Sequence, residues 1–432
     1  MTEPVEQRVI ALMSACDRAV AERRDSDALK AFREATTLLP EHPLVLHEQA
    51  RRALLAGDVG GAVALLERVV QSVPKHLPFW MTYAAALRVL VRHEDELNAL
   101  ERALALDPRN PFALMQKATA LDRLGKRRSA AKVYLNVLKI IGTDAARSPQ
   151  LQKLAQEARL RAEEGGRELG EYLDARMKPL RAERGQAGFT RFDRSIDALV
   201  GRRRIYWPQP TFMLFPYLRH VEFFERADFP WLADIEAATP AIRDELLGLL
   251  AEDHDGVEPY VQYGQGTPLA QWSELNHSKR WGAYFLWKEG TALPDHIARA
   301  PITAAAVSAA PQVDVPGFSP TAFFSILEPR TRIPPHTGVT NTRAIVHLPL
   351  VVPPGCGFRV GGDSRQWGVG EAWVFDDTIE HEAWNDSDTL RAILIFDIWN
   401  PQLTLAERDL VRESTRALAE YYAEEGVPEF AL

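Results

Sequence analysis

Hydrophobic positions in the first third of the chain recur at helical spacing, and small and large ones keep separate registers. Prolines fall at Pro40, Pro74 and Pro108, and alanines at Ala50, Ala84 and Ala118. Each series steps by one tetratricopeptide length, about 34 residues. A third series, Ala28, Ala62 and Ala130, is interrupted by Glu96, while Phe32, Leu66, Leu100 and Tyr134 keep a large apolar group in phase. Alanines at fixed phase mark where paired helices approach closely, large residues fill the gaps, and each proline ends a helix. Gly57 and Gly125 fall where a residue tolerant of positive φ is useful, although the middle repeat has no glycine there. The pattern predicts three helix hairpins over about Glu41 to Gly142, with a partial unit before them. Such an array offers a concave surface to a peptide or protein partner, or else serves as a packing or dimerisation module.

The texture then changes twice. From Ala145 to Lys178 the chain is charged and helix-compatible, with Gly165 and Gly166 read as a break, and between Arg181 and Arg204 it is basic. Arg202, Arg203 and Arg204 could hold an anion, but a solvated linker is the simpler reading. After Pro208 aromatic residues cluster, and Ala238 to Leu250 reads as an amphipathic helix. From Thr321 short apolar runs alternate with Gly, Pro and Asp turns: Phe323 to Leu327, Ala344 to Val352, Ala372 to Phe375 and Leu390 to Ile398. Closely spaced short strands predict a jelly-roll or cupin-like barrel, a double-stranded β-helix with flanking helices. The expected organisation is therefore a two-domain α + β chain: helical repeats over 1–145, a helical and basic linker over 146–205, and a barrel domain over 206–432.

At 432 residues the chain exceeds what one core usually serves, consistent with two domains. Its 46% hydrophobic and 25% charged residues are ordinary for a soluble protein, and a net charge of -8 argues against a general nucleic-acid binder. Cys16 and Cys356 lie far apart and provide no disulfide framework. The first twenty residues lack a secretory pattern, and no run reaches the roughly 20 apolar residues that span a bilayer. A cytoplasmic location with no membrane partner is expected.

Three polar features stand against the strands of the second half: His336 after two prolines, His381 in an acidic turn, and Arg391 at the head of an apolar run. A lone histidine in a strand-rich domain is usually a hydrogen-bonded structural group. Together the three match what an iron and 2-oxoglutarate site needs. Neutral imidazoles hold Fe(II) with positions left for the oxoacid and O2, and a guanidinium takes the distal carboxylate in a bidentate fork. A buried arginine on the last strand also demands an anion.

The stretch from Phe323 to Pro401 resembles the aspartyl/asparaginyl β-hydroxylase family. The resemblance is carried by Pro335-His336-Thr337-Gly338, Asn341, Arg343, His347-Leu348, Phe375-Asp376-Asp377, Glu380-His381-Glu382 and Asp397-Ile398-Trp399-Asn400-Pro401. It extends more weakly to Trp281–Trp287 and Phe229–Leu232. It implies a hydroxylase that couples decarboxylation of 2-oxoglutarate to oxidation of a substrate C–H, with His336 and His381 as iron ligands. It further implies that Arg391 and Ser325 bind the distal carboxylate and that His347 contacts the carboxylate near the metal. Gly338 stands where most 2-oxoglutarate oxygenases carry a metal-binding Asp or Glu; the family shares this feature, with water thought to fill the vacancy. Asp376 and Asp377 suit a turn or an outer partner of the ligands better than substitute ligation.

Departures from the family concern substrate. Of two arginines that contact substrate in the enzymes acting on growth-factor-like domains, the first is retained as Arg343 and the second position is Ile345. A further basic position aligns with Asn276. Loss of a guanidinium fork disfavours an aspartyl side chain. The expected substrate is a peptide, protein or amino-acid-like molecule, with the repeats aiding its binding or that of another protein. Two rival readings stand beside this one. A catalytically silent adaptor using the repeat groove does not account for joint retention of His336, His381, Arg391, Ser325 and His347, and a two-histidine metal hydrolase leaves Arg391 and Ser325 without a purpose.

Overall fold

A computed structural model describes residues 4–142, 148–184, 189–252, 256–266, 268–315 and 317–423. The chain divides into two compact units, Met1–Arg203 and Arg204–Leu432.

Among the described residues, the first unit opens with four consecutive helix hairpins: α1 (Val5–Ala21) with α2 (Asp25–Leu38), α3 (Pro43–Leu55) with α4 (Val59–Ser72), α5 (Leu77–Val89) with α6 (His93–Leu106), and α7 (Pro111–Arg123) with α8 (Arg127–Ile141). The partial unit expected at the start is thus a whole hairpin. Ala50, Ala84 and Ala118 are fully buried where the helices meet, as are Ala62 and Ala130 in the second series. Glu96 breaks that series and is nevertheless buried. Arg123 donates to its carboxylate at 2.6 Å and His93 lies at 3.2 Å, so ion pairing offsets the desolvation that alanine avoids.

The four turns are left-handed at one phase of the repeat: Arg23 (φ 56), Gly57 (φ 86), Val91 (φ 60) and Gly125 (φ 72). The middle repeat therefore keeps the geometry without the glycine. A β-branched residue with positive φ is strained by contact between its Cβ and the backbone.

Residues 146–205, read from sequence as a linker, contribute two helices to this first unit: α9 (Pro149–Arg184) and α10 (Thr190–Leu199). Ala155, Ala158 and Ala162 of α9 pack with Tyr134 and Val137 of α8. The break expected at Gly165 and Gly166 does not occur, because α9 runs through both. A Cβ at Gly165 would collide with Ala131, and one at Gly166 with the Val200 carbonyl. These glycines permit close approach rather than a bend. Arg202 lies across Gly170 and pairs with Asp174 at 3.0 Å and Asp197 at 3.5 Å, so its charge is answered within the unit.

The second unit contains α11 (Leu232–Ala237), α12 (Thr239–Ala251), α13 (Pro294–Arg299), α14 (Pro301–Ser308) and α15 (Leu405–Ala423). Its strands are β1 (Glu258–Pro259), β2 (Trp281–Lys288), β3 (Thr291–Ala292), β4 (Ala322–Leu327), β5 (Thr331–His336), β6 (Arg343–Val351), β7 (Cys356–Val360), β8 (Asp363–Arg365), β9 (Trp373–Phe375), β10 (His381–Asn385) and β11 (Arg391–Trp399). They form an antiparallel jelly roll: a major sheet in the order β1-β2-β4-β11-β6-β9, with β3 on β2, and a minor sheet in the order β5-β10-β7-β8. Period-two alternation divides the major sheet into two apolar faces. Phe324, Ile326, Val346, Leu348, Leu394 and Phe396 pack against α11, α12 and α14. Leu327, Ile393 and Phe375 face inward toward Phe358 and Ala383 of the minor sheet. β5 tolerates Pro334 and Pro335 because it is an edge strand, with β10 as its one partner.

We expect Val91→Gly to stabilise the helical unit by about 1 kcal/mol, since relief of the left-handed strain exceeds the added chain entropy. Val91 is 71% exposed and contributes little packing. Thermal denaturation of the full chain followed by helical circular dichroism checks this, and an unchanged or lower midpoint would count against strain at the turn.

Candidate active site

His336 ends β5 and His381 begins β10, and the two are directly paired in register. Strand pairing alone therefore brings residues distant in sequence together, with ring centroids 4.0 Å apart. The Nδ1 of His336 lies 2.8 Å from the Pro334 carbonyl, and that of His381 lies 3.0 Å from the Ile379 carbonyl. A carbonyl only accepts, so each Nδ1 carries the proton and each Nε2 presents a lone pair. Burial holds both imidazoles neutral, lowering His336 to about 3 and His381 to about 4. Two neutral imidazoles with fixed tautomers could hold a metal ion.

Among the described residues no group of three or more His, Cys, Asp or Glu side chains could hold a metal ion, so no third such residue joins the pair. The Asp377 carboxylate fills the space beside Gly338, where a Cβ would collide with it. It is held there by its own carbonyl, which accepts from the Gly338 N–H at 2.6 Å, and by Arg343 Nη2 at 3.5 Å. Asp376 caps the same turn, accepting from the Thr378 N–H at 3.0 Å and hydroxyl at 2.5 Å.

Arg391 opens β11 and is 1% exposed. Among the described residues it forms no ion pair. Its one hydrogen bond runs from Nη1 to Ser325 Oγ at 3.4 Å, its Nε is buried without an acceptor, and its guanidinium lies 5.0 Å over the Trp367 ring. Burial lowers its pKa to about 10, which still leaves it charged at neutral pH. Ser325 is the register partner of Ile393, diagonal to Arg391 on the inward face. Its oxygen also accepts from Trp281 Nε1 at 3.1 Å, so the hydroxyl proton is directed elsewhere. On the same face, His347 is buried with Nδ1 unpartnered, and burial beside Arg391 holds it well below the usual histidine range.

An uncompensated buried cation, a hydroxyl proton without an acceptor and an orphaned imidazole nitrogen suit a dianion that enters from outside. With two neutral imidazoles nearby, these residues fit an iron ion and 2-oxoglutarate.

Arg343 lies on the same inward face but is differently placed. It pairs with Asp377 at 3.5 Å and Asp397 at 3.3 Å, and its guanidinium sits over Phe318. Ile345 follows it on that face, in register with Asp397 and Phe375. Asn276 is remote from this network and clamps a loop, accepting from the Tyr263 N–H at 2.8 Å and donating to its carbonyl at 3.3 Å. Trp384 lies beneath Arg332 and away from these groups, half-buried between inward-facing Ala383 and Asn385. Two participants escaped sequence reasoning. Trp281 supplies the hydrogen bond to Ser325, and Trp272 sets its ring edge-on to His336 at 5.0 Å. Trp281 opens the apolar run of β2, which signals only a strand.

A family model described as aspartyl/asparaginyl β-hydroxylase matches residues 236–401. The mouse aspartyl/asparaginyl β-hydroxylase is 25% identical over 418 residues, covering 91% of this chain and 50% of that protein. The human protein is 23% identical over 411 residues, covering 91% and 49%. The ornithine lipid ester-linked acyl 2-hydroxylase of Rhizobium tropici is 32% identical over 218 residues, covering 50% of this chain and 70% of that protein. The chain thus spans about half the length of the mouse and human relatives.

Without metal, His336 and His381 bind protons near pH 6.5 when unfolded but only near 3 and 4 when folded. The unfolded chain takes up more protons in this window, so stability present above pH 6.5 is lost on acidification, by up to about 1.4 kcal/mol per pH unit for each imidazole. Denaturant midpoints of metal-free protein at about pH 7 and pH 5 check this. A flat profile would mean that the imidazoles are not buried as neutral groups.

Proposed function

We propose, from the premise that this chain belongs to the aspartyl/asparaginyl β-hydroxylase family, that it is an Fe(II)- and 2-oxoglutarate-dependent dioxygenase hydroxylating a peptide, protein or amino-acid-like substrate. The observation that carries the reading is Arg391, a buried cation without a carboxylate partner among the described residues, set beside Ser325 on the wall facing the histidine pair. With O2, iron and 2-oxoglutarate supply oxidative decarboxylation to succinate and CO2, coupled to insertion of one oxygen atom into a C–H bond.

The chain's own residues supply placement and charge. His336 and His381 would hold the metal through Nε2 while each Nδ1–H goes on donating to a backbone carbonyl. Arg391 and Ser325 take the distal carboxylate, with Trp281 turning the Ser325 proton toward it. His347 meets the carboxylate nearer the metal through its unpartnered Nδ1. Aromatic packing of Phe358, Trp367 and Phe375 around these groups excludes water and strengthens each contact. The helical unit presents or selects the substrate or a partner protein, in keeping with its stacked hairpins. Among the described residues no helix is long and apolar enough to cross a membrane.

Anaerobic addition of Fe(II) and 2-oxoglutarate should produce a visible absorption band. In air, succinate should form, and a susceptible peptide should gain the mass of one oxygen. His381→Ala should abolish iron binding. Arg391→Ala should retain iron and raise the 2-oxoglutarate requirement roughly 100-fold, the loss of a charge-assisted fork worth about 3 kcal/mol. Unchanged turnover in either variant would sink the assignment.

A further inference from the structure

The wall beyond the histidine pair carries information about substrate that the co-substrate pocket does not. On the inward face of the major sheet, Arg391 and Ser325 lie at one end, and Arg343, Ile345 and Asp397 lie at the other. Between them, Phe323 and Ile395 are register partners, and Phe285 pairs with Phe323 from the neighbouring strand. These side chains form a small apolar cluster of their own. Tyr260 extends it toward solvent, with its ring 5.1 Å from that of Phe323 and stacked 4.1 Å from Trp281. Trp281 in turn lies 6.3 Å from His336, so the apolar wall borders the histidine pair.

Away from Arg391, the charges bordering this wall are already answered. Arg343 faces both Asp377 and Asp397, and Asp397 additionally accepts from the Ser319 hydroxyl at 2.6 Å and the Thr321 N–H at 3.1 Å. Lys288, over the Phe285 ring, pairs with Glu258 at 2.5 Å. An incoming carboxylate would find two carboxylates around one guanidinium and lose its water without gaining a cation. An aliphatic group would meet Tyr260, Phe323, Ile395 and Ile345.

We propose that this mouth selects an uncharged, apolar side chain for hydroxylation, with Tyr260 and Ile345 as its specificity-determining residues. The proposal rests on the iron and 2-oxoglutarate reading of the adjoining site. Full-length protein loaded with Mn(II) and 2-oxoglutarate gives a test that needs no turnover, since the paramagnetic ion broadens the proton resonances of molecules that approach it.

The probes are N-acetyl-leucine amide, N-acetyl-asparagine amide and N-acetyl-aspartate amide at matched concentrations. The leucine probe should be broadened at concentrations at least about tenfold lower than the aspartate probe, with the asparagine probe between them. Ile345→Arg should move the order toward the aspartate probe by adding a second guanidinium beside the two carboxylates, which leaves the wall without its excess negative charge. Tyr260→Arg, at a rim position 39% exposed where a guanidinium can stack on Trp281 in place of the phenol ring, should move the preference in the same direction. Equal or stronger broadening of the aspartate probe in the unaltered protein would overturn the proposal, as would broadening of 2-oxoglutarate with none of the three probes affected. Failure of 2-oxoglutarate itself to broaden would instead overturn the metal-site reading beneath it.

Discussion

Arg391 imposes the constraint around which the barrel is arranged. Withdrawing a guanidinium from water without an anionic partner costs several kcal/mol even after relaxation. The ring of Trp367 and a single long hydrogen bond to Ser325 recover only part of that. The remainder has to be borne by the fold. The outer face of the major sheet, packed against α11, α12 and α14, buries a large apolar cluster that keeps β4 and β11 aligned while their inner face carries the charge.

Arg391 and Arg343 place an unanswered and an answered charge on one sheet. Both point inward, eight strand residues apart in register terms, with Arg391 buried and Arg343 partly so. Arg343 has two carboxylates within 3.5 Å, and it ties β6 to β11 and to the turn before β10. Arg391 has none among the described residues. The difference sets their chemistry: a satisfied cation fixes neighbouring elements, whereas an unsatisfied one is open to an anion, the role proposed for Arg391.

Much of this was legible in the sequence. The periodic alanines and prolines of the first unit report close helix contacts directly, because each repeat meets its neighbours in the same way. The exceptions were physical substitutions within a constant geometry. Val91 adopts the glycine turn, and Glu96 enters the alanine position with Arg123 as its counter-ion. Gly165 and Gly166 misled for the converse reason, since glycine serves close packing as readily as bending. In the second unit β4, β6, β9 and β11 were found within a residue or so of their ends; β2, long and apolar as it is, was not read as a strand, and β5, β7, β8 and β10 escaped as short, polar or interrupted by proline. The juxtaposition of His336 with His381 follows from pairing between β5 and β10, which local sequence does not encode. Trp281 was hidden for a related reason: its ring packs as core while its single N–H reaches Ser325.

The collision between a Cβ at Gly338 and the Asp377 carboxylate bears on how such a site could change over evolutionary time. Replacing Gly338 with an acidic residue would seem the shortest route to a metal centre with three protein ligands. In this chain that step is blocked until residue 377 first becomes smaller or moves, and its removal would strip Arg343 of one of its two counter-charges. The intermediate genotypes would therefore carry a buried, half-answered guanidinium. Positions 338, 343 and 377 are thus coupled, and room for a third ligand at 338 comes at the expense of a counter-charge of Arg343.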